Sequence, residues 1–209
     1  MRSGEALFGN TNEGDASGVN QIAGLSTSYD FNPGRNGMRI YAQALGEDQA
    51  GVLPSCWFSM AGIEARASIF GTFSTITLEH VDTTINTTEN GFCGPGTAYR
   101  NSNYFYRNDG DGMGAAIGSE SCSTQLRGLH EFENWELNWA IGHFTINDTN
   151  LPDHSLSTTR QTGTVASLGV GFDFAGGELQ GIMAHQDFDL DTASQNSGIR
   201  FGISYTRGF

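Results

Sequence analysis

Apolar and non-apolar side chains alternate along the last eleven residues, Ile199 to Phe209, and the run stops on a phenylalanine. Ile199, Phe201, Ile203, Tyr205 and Phe209 share one face of a strand, while Arg200, Gly202, Ser204, Thr206 and Gly208 share the other, because strand side chains alternate with period two. Arg207 departs from the pattern; it falls on the apolar face, where a long side chain snorkels to the interface. The same alternation predicts nine strands, over residues 18–31, 37–46, 56–67, 71–82, 122–132, 134–146, 162–174, 178–189 and 197–209. Between Thr164 and Phe174, Ala166, Leu168, Val170, Phe172 and Phe174 oppose Ser167, Gly169, Gly171 and Asp173. Residues 178–189 are ambiguous on either face.

This patterning suits a soluble sandwich or a membrane barrel, and the connections separate the two. Links 32–36, 68–70, the Glu133 corner and 175–177 are short, whereas 47–55, 83–121, 147–161 and 190–196 are longer, and the two kinds alternate. Short periplasmic turns and longer outer loops are the asymmetry of outer-membrane barrels. The expectation is an all-β antiparallel transmembrane β-barrel in a Gram-negative outer membrane. Its partners are outer-membrane lipid and, through the terminal aromatic, the barrel-assembly machinery. Nine strands are an odd number where bacterial barrels close with an even one. Residues 1–209 are therefore expected to be a single region, the C-terminal portion of a larger barrel. Met1 to Ala6 lead into no apolar stretch of about 7 to 15 residues, so a signal peptide and earlier strands are expected to lie outside this chain.

Composition agrees with that picture and removes rivals. The 209 residues are 37% hydrophobic with 29 Gly and 4 Pro, and no apolar run reaches the roughly 18 residues of a membrane helix. The net charge is −13 and all ten basic residues are Arg. Nucleic acid is therefore not an expected partner, since binding it needs a basic stripe. There is no Gly-x-Ser-x-Gly elbow, no His-Glu-x-x-His and no paired cysteine motif. Of the five histidines, His80, His130, His143 and His185 lean by parity to the lipid side or the interface; the fifth is His154. Neither an enzyme nor a cofactor is expected.

Three stretches resemble the Wzi-type capsule assembly family. They are Arg39 to Gly51 followed by Leu53-Pro54-Ser55; Leu78-Glu79-His80-Val81-Asp82-Thr83; and Thr97-Ala98-Tyr99-Arg100-Asn101 through Tyr104 and Tyr106 to Ile117-Gly118. Their order and spacing fit over about residues 37–132. Asn108-Asp109-Gly110-Asp111 departs from the more basic run of the family. The resemblance implies a lectin-like, non-enzymatic barrel that retains capsular polysaccharide at the cell surface, and family members about twice this length. The alternative is a general diffusion porin or transport barrel.

A polysaccharide site needs aromatic faces for sugar rings and polar forks for hydroxyls or carboxylates. The long loop supplies Tyr99, Arg100, Tyr104, Tyr106 and Arg107; the strand faces assigned to the lumen supply Arg39, Gln43, Glu64, Glu79 and Arg127. The opposing reading is that these aromatics only seal the loop and the lumen charges only pair with each other. Cys93 and Cys122 bracket the loop, so a Cys93–Cys122 bridge is expected, against two lone thiols; Cys56 receives no role. Asp187, Asp189 and Asp191, and Asp109 with Asp111, do not match a calcium loop and read as solvated turns, so no metal is expected. Asn86 and Asn147 head acceptor-like triplets that read as loop polar residues.

Overall fold

The computed structural model describes residues 22–32, 36–50, 53–69, 71–85, 93–99, 107–108, 111–112 and 114–207. The strands are β1 Ala23–Phe31, β2 Gly37–Ala50, β3 Leu53–Ile69, β4 Thr72–Asp82, β5 Arg107–Asn108, β6 Asp111–Gly112, β7 Cys122–Glu131, β8 Trp135–Ile146, β9 Gln161–Phe174, β10 Gly177–Gln186 and β11 Gly198–Thr206. Nine of them form one antiparallel sheet in the order β1-β2-β3-β4-β7-β8-β9-β10-β11, and β5 with β6 makes a two-residue hairpin in the long connection. The sheet has the all-β barrel fold expected from the pattern. Among the described residues β1 and β11 do not pair with each other.

The register turns the period-two pattern into two chemically distinct faces. Tyr29, Ile40, Ile63, Leu78, Leu126, Ile141, Ala166, His185 and Ile199 lie side by side across the nine strands. The next outer row is Phe31, Met38, Ala65, Ile76, Gly128, Trp139, Leu168, Met183 and Phe201, and neither row holds an Arg, Asp or Glu. The bulky members of these rows are open to the surroundings, Phe201 at 77% and Leu168 at 44% exposure. Such a surface is stable against hydrocarbon, not water. Polar atoms on this face satisfy one another: the Trp139 indole N–H donates to His130 Nε2 at 3.0 Å, and His130 Nδ1 meets Ser74 Oγ at 2.8 Å. In lipid each would otherwise stand unpaired at considerable cost.

Rows on the opposite face carry the charge. One runs Asp30, Arg39, Glu64, Thr77, Arg127, Ala140, Ser167, Ala184 and Arg200, and its neighbour holds Tyr41, Glu79, Gln125 and Gln186. This is the lumen face. Glycines let the large side chains lie flat across the sheet. A Cβ on Gly62 would stand 2.4 Å from the Tyr41 ring, and one on Gly128 2.3 Å from the Trp139 indole.

The tight turns follow their residues. Ala175 and Gly176, both at positive φ, join β9 to β10 as a two-residue hairpin loop. The link expected over 47–55 is different. β2 and β3 run for 14 and 17 residues and stay paired out to Ala50 and Leu53. A membrane strand needs only about 9 to 11 residues, so this hairpin is longer than a span requires, and 47–50 and 53–55 are strand and not loop. Val, Pro and Ser break the alternation there, and the mixed composition hides a strand that no longer has a lipid side to mark it.

Candidate functional site

Described parts of the long connection between β4 and β7 pack against the inner face of the sheet. Ile85, Cys93 and Ala98 from this connection are buried with Cys56 and Phe58 of β3, and Tyr99 packs its ring edge-on to Phe58 with centroids 4.9 Å apart. A disulfide joins Cys93 to Cys56, with Cα atoms 5.3 Å apart. The expected Cys93–Cys122 bridge is therefore incorrect, and Cys122 is a free thiol. The reason is parity. Cys122 shares its face with Thr124 and Leu126, which look outward, whereas Cys56 shares its face with Phe58 and looks into the lumen where Cys93 lies.

A second part of the same connection is clamped to the neighbouring loops by buried polar groups. Thr83 N–H donates to Ser121 O at 2.8 Å, and its hydroxyl reaches the carbonyls of Gly118 and Ser121 at 2.7 and 2.9 Å. Fully buried Asn147 closes the next loop: its amide donates to the carbonyls of Leu151 and Ser157, and its Oδ1 accepts from Leu151 N–H. His154 Nδ1 accepts from the N–H groups of Leu156 and Ser157, which leaves Nε2–H to donate to Ser119 O at 2.8 Å. Glu120 is buried, with Oε1 accepting from Gly96 and Ile85 N–H groups; desolvation pushes its carboxyl above the ordinary range against the pull of those two bonds. Below this network Ile117, Ile146, Phe188 and Leu190 form a shared apolar cluster. The described parts of three loops thus interlock into one plug-like cap at one end of the sheet.

The Asp series belongs to this scaffold. Asp187 Oδ1 accepts from Thr164 N–H, Asp189 from Ser197 N–H, and Asp191 from the Thr158 N–H and hydroxyl at 2.9 and 2.5 Å. These are turn-fixing bonds, and the Thr158 hydroxyl leads in drawing the Asp191 carboxyl down to about 2. The described residues hold no cluster of His, Cys, Asp and Glu arranged to bind a metal ion.

Between the plug and the wall formed by β2, β3, β4 and β7 lies a cleft in two parts. The upper cavity, about 570 Å³, lies between loop residues Tyr99 and Ala115 to Ile117 and strand residues including Phe58, Ser123 and Gln125. The lower one, about 400 Å³, is walled by Arg39, Tyr41, Glu64 and Arg127. Gln43, Met60 and Glu79 border both, so the two are neighbours in one groove. Glu79 is the junction: Tyr41 donates its hydroxyl to Oε2 at 2.7 Å and Arg127 approaches Oε1 at 3.5 Å. Arg39 stands 3.9 Å from Asp30, and Arg66 pairs with Glu64 at 2.5 Å.

The structure brings Arg39, Gln43, Glu64, Glu79 and Arg127 together in this groove, with Tyr99 at its upper rim. Arg100, Tyr104 and Tyr106 lie outside the described residues, and so does the side chain of Arg107, whose backbone begins the small hairpin. The sequence reading did not single out Tyr41, Ser123 and Gln125, although the parity that selects Glu79 and Arg127 selects them too. The plug residues Glu120, Ser121, Asn147 and Ser157 carry no spacing signal.

An antiparallel sheet with a greasy outer face, a charged inner face and a loop folded over a cleft defines the wall of a transmembrane β-barrel. The family model for capsule assembly protein Wzi matches residues 3–196. The chain belongs to the Wzi capsule assembly family. Among solved structures it is similar to Wzi of Escherichia coli, an outer membrane protein involved in group 1 capsule assembly and a carbohydrate-binding β-barrel. The TM-score is 0.71 at 20% identity, over 90% of this chain and 42% of that one. The chain thus spans less than half the length of that relative. No curated protein sequence matches it.

Proposed function

We propose that this chain forms one side of an outer-membrane barrel that holds and organises capsular polysaccharide at the cell surface, without making or breaking bonds. The observation that carries the reading is membership of the capsule assembly family over residues 3–196. Loops that interlock over the lumen face of the sheet favour it over the diffusion-pore reading, because an open pore requires a continuous water path. The proposed contacts are the long-loop residues Tyr99, Arg100, Tyr104, Tyr106 and Arg107, continued inward by Arg39, Gln43, Glu79 and Arg127. One repeat unit binds weakly, but a long polymer is retained because the second contact is intramolecular once the first is made.

The remaining wall of the barrel follows from strand direction. In a sheet of nine antiparallel strands β1 and β11 run the same way, so joining them directly would give a parallel seam. An odd number of further strands closes the ring with antiparallel pairs throughout and satisfies both edges, which lipid cannot do. Outer-membrane lipid and the barrel-assembly machinery complete the proposed partners. Tyr104→Ala or Arg107→Ala should lower retained capsule while barrel abundance stays constant. Parallel loss of the barrel in both variants would reduce the loop to packing and remove its proposed contact role.

A further inference from the structure

The charge of the cleft decides what kind of glycan it can take. The two arginines of the lower groove each stand near a carboxylate: Arg39 is 3.9 Å from Asp30 and Arg127 is 3.5 Å from Glu79. Arg39 and Arg127 are matched by Glu64 and Glu79 in the same lining, so the lower groove carries no net positive charge to draw a ligand carboxylate. The upper cavity holds no Arg or His among its described lining residues, and Glu79 is the one carboxylate there. An anion entering would lose its water and gain only a like charge.

What the upper cavity does offer is a largely apolar lining, with Ile22, Leu45, Phe58, Val81 and Ile117 in it, into which a few hydroxyl and amide groups are set. Ser123 is 2% exposed, lines the cavity, and its Oγ has no hydrogen-bond partner among the described residues. A buried hydroxyl left this way costs free energy that a bound partner recovers. The amides of Gln43 and Gln125 border the same space, with Tyr99 and Phe58 at its rim. At about 570 Å³ the cavity is of small-molecule size.

We propose that this cavity binds an uncharged, hydroxyl-rich segment of a glycan and discriminates against uronate-bearing ones. The proposal rests on the polysaccharide-holding role above and names the ligand class of its inner end. Neutral sugar hydroxyls exchange donors and acceptors with Gln43, Gln125 and Ser123, and a ring face lies against the aromatic rim. Glu79 accepts a further hydroxyl and repels a carboxylate.

The test is calorimetric titration of the full chain in detergent with two probes, maltohexaose and hexagalacturonate. Maltohexaose should bind at least about tenfold more tightly, with an affinity unchanged between about 50 and 500 mM salt. Gln43→Ala and Ser123→Val should each weaken it by about tenfold or more, a step equal to 1.4 kcal/mol, with heat-modifiable gel mobility verifying that each barrel is folded. Glu79→Gln, which leaves Arg127 unpaired, should raise affinity for hexagalacturonate. Tighter binding of the uronate by the unaltered chain overturns the proposal and leaves the polysaccharide role standing. Maltohexaose binding indifferent to both Gln43 and Ser123, or no binding of maltohexaose at all, also overturns it. The capsule-retention assay on Tyr104 and Arg107 variants judges the wider role separately.

Discussion

The Tyr41 hydroxyl donates to Glu79 Oε2 at 2.7 Å across two strands, and the ring that carries it lies flat over Gly62. Position and chemistry are coupled here. Tyr41 reaches Glu79 only because residue 62, between them in the register, has no side chain.

Gly62→Val is therefore expected to destabilise the barrel by about 1–3 kcal/mol, by forcing the Tyr41 ring off its seat. Tyr41→Phe should cost about 1.5–3 kcal/mol, the value of a hydrogen bond to a charged acceptor. Urea unfolding from lipid vesicles measures both. A double variant that costs no more than Gly62→Val alone would show that the two substitutions disrupt one contact.

The bridge between Cys56 and Cys93 closes a separation of 37 residues. In the chain-entropy account such a closure is worth about 4 kcal/mol. Reduction, or Cys93→Ser, should make the connection between β4 and β7 sensitive to protease while the nine strands stay resistant. Cys122→Ser should change neither, since that thiol is outside the bridge.

Asn147 makes three side-chain bonds to loop backbone at full burial. Asn147→Ala leaves those groups unsatisfied and should cost the plug about 3 kcal/mol, read as lost hydrogen-exchange protection over residues 147–157. The sheet should keep its protection.

Two carboxyls give the plug opposite responses to acid. The Asp191 carboxyl is lowered, chiefly by its bond from the Thr158 hydroxyl, so its contribution is complete above the ordinary carboxylate range and is lost as pH falls from about 4 toward about 2. Burial raises Glu120, so its contribution is greatest below that range and declines as pH climbs through the raised value. Asp191→Asn should remove the acid-side loosening of residues 157–159. Glu120→Gln keeps an acceptor for Gly96 and Ile85 and should flatten the pH dependence above the ordinary carboxylate range. Hydrogen exchange of the loops at several pH values checks both.

The sheet could be read from the chain because lipid and lumen impose opposite chemistry on alternate residues, and Leu168, Val170 and Phe172 beside Ser167, Gly169 and Gly171 record both sides at once. β10 resisted this reading for a physical reason. Ile182 points into the lumen, where Gly169 and Gly202 flank it in the register and leave it room, while Met183 faces outward. The bridge to Cys56 was also within reach, since parity puts Cys122 on the outer face. The plug was not, because Glu120 and His154 Nε2 bind backbone atoms of distant segments and Asn147 binds irregular loop backbone, and no local periodicity encodes such partners.

The central claim is that the apolar face of the sheet meets hydrocarbon, and the protein's three tryptophans, Trp57, Trp135 and Trp139, all stand on that face. The direct measurement is native tryptophan fluorescence of the full chain in vesicles of brominated lipid, with aqueous iodide as the counter-probe. Strong quenching by the bromines and little by iodide is the predicted result. Efficient iodide quenching with bromines silent would place that face in water or in a dry protein core and contradict the barrel.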